Sequence, residues 1–365
     1  MIGERLKAAR RAAGLTQAEV GRLIGITNVA VSKHERDLVT PGGERLVQLS
    51  EAFAVPVAQL LRPQVGLSLS VPSYRWHPQK RRSRWAVEVV EARVRDWLER
   101  YVVLEQLVGE QPPTTVDGLR AAVDLTRDPE EAAERLRAHW QIGTGAIESM
   151  VEVLEDHGVK VLVLPEAGPM NTCSYELNEG QPAIVVSRTL PDSGADCPGD
   201  RERFSLAHEL GHFILDYYLD SDLDEKAREA AAHRFAAAFL VPAEAARREL
   251  GESRSDVAVS EFALLKRKYG LSIQAWVRRS KELGILPPAA AKVYLAAAKS
   301  AGWEAKEPAD VPFEEPQRML RLALRAWAEG IVSESRAAEL SACPREHFRR
   351  MRSDVGEAVD ARACA

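Results

Sequence analysis

The chain has 365 residues, 45% hydrophobic and 28% charged, with a formal net charge of −5. That is enough to bury a full core in two or three domains, and no stretch has the form of a signal peptide or the length of a membrane span, so the expected location is cytoplasmic. The four cysteines, Cys173, Cys197, Cys343 and Cys364, show no C-x-x-C spacing, which argues against a zinc ribbon or a disulfide framework.

Charge is unevenly spread. Residues 1–62 carry nine Lys and Arg against six Asp and Glu, and residues 75–100 carry eight against four, which leaves the remainder near −12. The basic end is where nucleic acid would go.

In chain order, Arg5 to Arg10 reads as a basic amphipathic helix closed by Gly14. Thr16 caps a second helix, Gln17 to Ile24, that stops at Gly25, and Thr27 opens a third after a very short turn. Two helices so joined, the later one polar on one side, describe a helix-turn-helix whose second helix enters the major groove of double-stranded DNA. Leu46, Leu49, Ala52 and Phe53 mark a packing helix, and Val57 to Leu61 a short last one. The run from Leu15 to Arg36, LTQAEVGRLIGITNVAVSKHER, resembles the Xre/Cro/C1 repressor family. The resemblance implies that Gln17 meets the DNA backbone and that Thr27, Asn28, Val29, Ser32 and Lys33 lie at the DNA. The chemistry agrees, since Asn pairs with adenine, Val packs on a thymine methyl and Lys reaches guanine or phosphate. Glu35 with Arg36 reads as a structural pair.

Residues 63–80, broken by Pro63, Pro72 and Pro78, read as a linker. A long amphipathic helix follows, with Trp85, Val89, Val90, Val94, Trp97, Leu98, Tyr101 and Leu104 at helical spacing, as a core or dimer seam. Its basic start, Lys80 to Arg84, reads as a solvated face ahead of a phosphate-binding patch. Pro112-Pro113 ends it, Asp128-Pro129 opens a helix to Trp140, and another helix is expected over 145–157. Gly158 to Leu164 and Gln181 to Ser187 are two short apolar stretches. Glu166 to Gly180 between them reads as a loop lining a substrate groove, and Pro191 to Asp200 as a candidate lid.

The chemistry is concentrated in Arg203 to Asp216, RFSLAHELGHFILD. His208 and His212 stand at i and i+4 of an apolar helix, one turn apart on one face, the spacing that grips one zinc ion, and Glu209 sits beside them as a proton acceptor. A catalytic zinc takes three protein ligands and keeps one position open. After an acidic loop with Asp220, Asp222 and Asp224, a second helix over 225–240 carries Glu229 and His233, again at i and i+4. Either side chain is placed to face the metal.

HELGHFILD, followed by Glu229, Ala232, Phe235, Ala236, Ala237, Leu240 and Pro242, resembles the ImmA/IrrE family of metallopeptidases. The resemblance implies His208, His212 and Glu229 as zinc ligands and Glu209 as the catalytic carboxylate, and it implies that the apolar stretches Gly158 to Leu164 and Gln181 to Ser187 are strands. His233 stands where that family usually has Asn or Asp, as a partner that steadies a ligand or as a rival ligand. Manganese or iron suits the same ligands. Residues 301–316 read as a second linker, and 317–365 as a helical region with a cap at Ser333 or Ser335 and a turn at Ala342 to Pro344, a docking domain before a second DNA reader.

The expected fold class is mainly α with a small β-sheet. An all-α helix-turn-helix domain (1–62) and a linker (63–80) precede a helical segment with an α+β zincin-like peptidase domain (81–300), a linker (301–316) and a helical C-terminal region (317–365). The expected function is a DNA-binding regulator, homodimeric on its operator, with a zinc endopeptidase that cuts a repressor-type protein in a stress or mobile-element response, or its own chain. Two alternatives are a non-catalytic regulator whose peptidase-like domain senses zinc or a ligand, and a protein-interaction scaffold.

Overall fold

The computed structural model describes residues 2–62, 69–70, 84–110, 114–165, 172–178, 180–190, 194–215, 225–303 and 306–351. The described residues are mainly helical, with one small sheet.

Five helices open the chain: α1 (Ile2–Ala12), α2 (Gln17–Leu23), α3 (Asn28–Glu35), α4 (Gly43–Phe53) and α5 (Val57–Leu61). Local chemistry sets their ends. Thr16 and Glu19 form a reciprocal capping box at α2, and the Thr27 hydroxyl accepts from Ala30 N at the start of α3. The turn between α2 and α3 is so tight that a Cβ on Gly21 would lie 2.6 Å from the Ile26 carbonyl oxygen, so only glycine fits there. Leu6, Val20, Val31, Leu49, Phe53 and Leu60 close a small core between the five.

The long helix α6 (Arg84–Val108) packs on α1 and belongs to the same compact unit. Val90, Val94, Leu98, Tyr101 and Leu104 are buried along it. Arg5 forms a buried ion pair with Glu99, and Arg93 Nε donates to the Ala12 carbonyl at 2.9 Å. Of the basic start of this segment, Lys80 to Ser83 lie outside the described residues.

The second unit begins, after a two-residue strand β1 (Leu69–Ser70), with α7 (Val116–Ala122), α8 (Pro129–His139) and α9 (Met150–Asp156). The last starts at Ser149 rather than near 145, because the Ser149 hydroxyl accepts from Glu152 N and caps it there. Three strands follow, β2 (Lys160–Leu164), β3 (Thr172–Leu177) and β4 (Gln181–Ser187), in the order β1-β3-β4-β2. β2 runs parallel to β4, with Val161 opposite Ile184, whereas β3 and β1 are antiparallel to their neighbours. The stretch expected as a groove loop is therefore, over 172–177, a central strand. Its Thr, Ser and Glu disguise it as a loop, yet Cys173, Ser174, Tyr175 and Leu177 are all buried. Residues 166–171 and 179 lie outside the described set.

The long helix α10 (Gly199–Leu215) packs along α11 (Glu225–Leu240), with α12 (Ala243–Leu250), α13 (Val259–Tyr269), α14 (Ile273–Glu282) and α15 (Pro288–Ser300) behind them. Of the candidate lid, 191–193 lie outside the described residues. Thr189 and Asp196 form a bridge, Cys197 N donates to the Arg188 carbonyl, and Gly199 and Asp200 already belong to α10. The acidic loop with Asp220, Asp222 and Asp224 also lies outside. Residues 306–316, expected as a linker, are packed into this unit. A Cβ on Gly199 would meet the Val311 and Pro312 carbonyl oxygens, and Glu314 accepts from Val151 N at 2.7 Å.

Two helices, α16 (Arg318–Ala328) and α17 (Glu334–Ser341), return to the first unit and pack on α6. Ser333 caps α17 and Ala342 ends it in the left-handed region. Met319, Leu322, Ala326, Leu340 and Phe348 are buried, and Arg62 reaches Glu339 at 2.6 Å.

Candidate metal centre and helix-turn-helix surface

Helix α10 brings His208 and His212 onto one face because four residues span little more than one helical turn. Helix α11 approaches it at Gly211, where a Cβ would lie 2.9 Å from the Phe235 ring; this close packing carries Glu229, earlier on α11, to the two imidazoles. Nε2 of His208 lies 3.2 Å from Glu229 Oε2, Nε2 of His212 lies 3.3 Å from Glu229 Oε1, and the two Nε2 atoms are 3.0 Å apart. Zinc bonds of about 2.0–2.1 Å set tetrahedral donors roughly 3.3 Å apart. All three observed separations fall within a few tenths of an ångström of that edge, so the donor set fits one small divalent ion. Hydrogen bonds from His208 and His212 hold the Glu229 carboxyl well below the usual carboxylate range.

Glu209, also on α10, turns toward the sheet. Its carboxylate accepts from the Thr172 hydroxyl at 3.0 Å on Oε1 and from the Ser174 hydroxyl at 2.7 Å on Oε2. Both donors stand on β3, two residues apart and so on one face of the strand. His233 lies close by, its ring centroid 4.5 Å from that of His208, and its Nδ1 is 2.7 Å from the Glu229 carbonyl oxygen. His208 Nδ1 is buried with no hydrogen-bond partner among the described residues. Cys173 is buried in β3 and does not belong to the candidate metal-holding group found among the described residues, His208, Glu229 and His233.

At the other end of the chain, Val31 and Glu35 are the buried face of α3, which leaves Thr27, Asn28, Val29 and Lys33 exposed and Ser32 half-buried. Val29 is 58% exposed, unusual for an aliphatic side chain and suited to an apolar contact outside the fold. Glu35 pairs with Arg10, not with the adjacent Arg36, and accepts from the Gln17 amide at 2.7 Å. Arg5 and Arg10 are thus internal, and their charge serves the fold rather than a DNA face.

Residues 6–60 match the helix-turn-helix family profile, and residues 154–281 match that of the IrrE N-terminal-like domain. The chain joins an Xre-type helix-turn-helix domain to an ImmA/IrrE-type peptidase domain. Its N-terminal part is similar to repressor protein C2 of Salmonella phage P22, 39% identical over 62 residues, 17% of this chain and 29% of that protein. It is also similar to the HTH-type transcriptional regulator ImmR of Bacillus subtilis (strain 168), 40% identical over 60 residues, 16% of this chain and 47% of the relative. The chain spans less than half the length of the curated relatives it matches.

Within the ImmA/IrrE-type domain, the structure brings His208, His212 and Glu229 together and holds Glu209, next to His208 on α10, against Thr172 and Ser174. Thr172 and Ser174 escaped sequence reasoning. Their only signal was the alternation of polar and apolar residues from Thr172 to Leu177, which is short and lies beside a Gly-Pro pair.

Proposed function

We propose that this chain is a DNA-binding transcriptional regulator whose ImmA/IrrE-type domain is a zinc-dependent endopeptidase acting on a repressor-type protein or on its own chain. The observation that carries the catalytic part is the convergence of His208, His212 and Glu229 at 3.0 to 3.3 Å beside a buried, oriented Glu209. Zinc, held by those three side chains, supplies Lewis acidity toward a scissile carbonyl and lowers the pKa of water. Manganese or iron serves the same donors less well matched.

Glu209 takes a proton from the attacking water and gives it to the leaving amine. The Thr172 and Ser174 hydroxyls donate one to each of its oxygens, which fixes the carboxylate that would take the proton. The regulatory part rests on the exposed row Thr27, Asn28, Val29 and Lys33 on α3 and on the similarity to a phage repressor and an HTH-type regulator. Operators of such heads are paired half-sites, so we propose a homodimer on double-stranded DNA. We place it in the cytoplasm; no helix among the described residues is long and apolar enough to cross a membrane.

The test is a zinc-loaded wild type and a Glu209→Gln variant, each incubated with a proteome-derived peptide library and read by mass spectrometry, with the intact chain monitored for self-cleavage. The variant keeps its zinc and loses cleavage by about 10²–10⁴-fold. Cleavage at the wild-type rate removes Glu209 from this role. One observation favours a second reading, a regulator that senses zinc without turnover: His233 adds a further nitrogen donor at the metal face. A zinc-loaded wild type that cuts nothing while zinc alters its DNA affinity supports that reading.

A further inference from the structure

Three donors suffice for a catalytic metal, yet the fold supplies a fourth. We propose that His233 is a releasable fourth protein ligand: the resting site is closed by His208, His212, Glu229 and His233, and a substrate position opens only when His233 leaves. The inference deepens the metallopeptidase reading and rests on it.

The tautomer comes first. A histidine ligates through a nitrogen lone pair, and which nitrogen bears it is set by the bond the other one makes. His233 Nδ1 faces the Glu229 carbonyl oxygen at 2.7 Å, which only accepts, so Nδ1 carries the proton and Nε2 the lone pair. The backbone carbonyl of one ligand therefore sets the next side chain in its ligating form.

Position follows. His233 lies one turn after Glu229 on α11, and donor atoms of His208, Glu229 and His233 all lie within 4.8 Å of one another. A tetrahedral edge at zinc is roughly 3.3 Å, and side-chain rotations can draw donors this close onto it. The ring is seated on two aromatic neighbours, with its centroid 5.6 Å from that of Phe204 and 4.5 Å from that of His208. An incidental surface histidine has no need of such a seat.

Exposure then separates the donors of α11 from those of α10. The His208 and His212 side chains are 12% and 2% exposed, whereas Glu229 is 43% exposed and His233 also stands at the solvent edge; Glu229, though, is set against both imidazoles at 3.2 and 3.3 Å. A solvent-edge ligand can exchange for a carbonyl or a water without disturbing the helices that hold the rest. Four protein donors make a closed site of the structural kind, and three leave the position that hydrolysis needs. His233 thereby sets whether the centre stores a metal or acts on a peptide bond.

The experiment is zinc K-edge X-ray absorption on the full-length zinc-loaded chain and on a His233→Asn variant, with metal content measured on both. Helical circular dichroism of the variant confirms that this exposed substitution leaves the fold intact. The expected result is about one zinc per chain in each protein, with scattering from three imidazoles in the wild type and two in the variant. Zinc affinity, measured by chelator competition, falls by roughly 10- to 100-fold in the variant. Two imidazoles in both proteins overturn the inference and leave the metallopeptidase reading standing. A folded wild type that takes up no zinc overturns both.

Discussion

Glu202, in the first turns of α10, is fully buried, and burial pushes its carboxyl up to about 6. Its partners are too distant to offset that cost: Glu314 N donates at 3.4 Å, and Arg188 Nε stands 4.0 Å away. Because the folded-state value lies above the ordinary 4.5, the native chain binds more protons than the unfolded chain between those values. The contribution is full below about pH 4.5 and is lost as pH rises through 6. A Glu202→Gln variant should be more stable than wild type at pH 7.5 by about 2 kcal/mol, at roughly 1.4 kcal/mol per pKa unit, with no such gain at pH 4. Thermal melts at the two pH values measure it, and an equal difference at both refutes the shifted carboxyl. Glu209 shows the contrary use of burial: its two hydroxyl donors orient a carboxylate that a bare pocket would leave unsatisfied.

Among the elements, the contact between α10 and α11 governs the proposed metal site. Gly211 lies inside the H-E-x-x-H run, and its hydrogen faces the fully buried Phe235 ring. Alanine there gains about 1 kcal/mol of helix propensity but places a methyl 2.9 Å from that ring, and overpacking of this kind costs roughly 1–3 kcal/mol. The clash prevails because Phe235 is fully buried and stacked on Phe239. Gly211→Ala should therefore part the helices, draw Glu229 from the two histidines and weaken zinc binding by about tenfold, a loss of the size that supporting residues cause at such centres. Chelator competition reads this directly, and unchanged affinity would show that the helices tolerate the methyl. The strand β3 works at the same scale, since its polar residues are at once a sheet register and a clamp on Glu209.

Among the described residues, the unit that holds the helix-turn-helix is assembled from three separate stretches, 2–62, 84–110 and 317–351, and the peptidase-type unit is interleaved with them in sequence. The C-terminal helices are joined to that unit by a buried charge. The Arg62 side chain is 2% exposed and meets Glu339 at 2.6 Å and Asp96 at 3.9 Å. Burial lowers its affinity for protons, and Glu339 is the first group that restores it. Removing one partner of a buried pair leaves the other charge uncompensated, at a cost of about 3–5 kcal/mol, and the residual Asp96 contact favours the lower end. Glu339→Ala should lower the melting transition of this unit in calorimetry and leave zinc content unchanged. Loss of both would mean that the two units unfold together.

Much of this protein is settled by local sequence. The caps at Thr16, Thr27, Asp128 and Ser333 act over three or four residues, and the positions of His208, Glu209 and His212 follow from the pitch of one helix. Such features are legible because every atom they involve is near in the chain. Tertiary structure alone decided that Arg5 and Arg10 are internal and that α6 is the core on which α1, α16 and α17 pack. It alone decided that Thr172 and Ser174 hold Glu209 across 35 and more residues. Each of these depends on which distant surface supplies the partner for a buried charge or an apolar face. No local period records that choice, because a helix carries the same pattern whichever neighbour covers it.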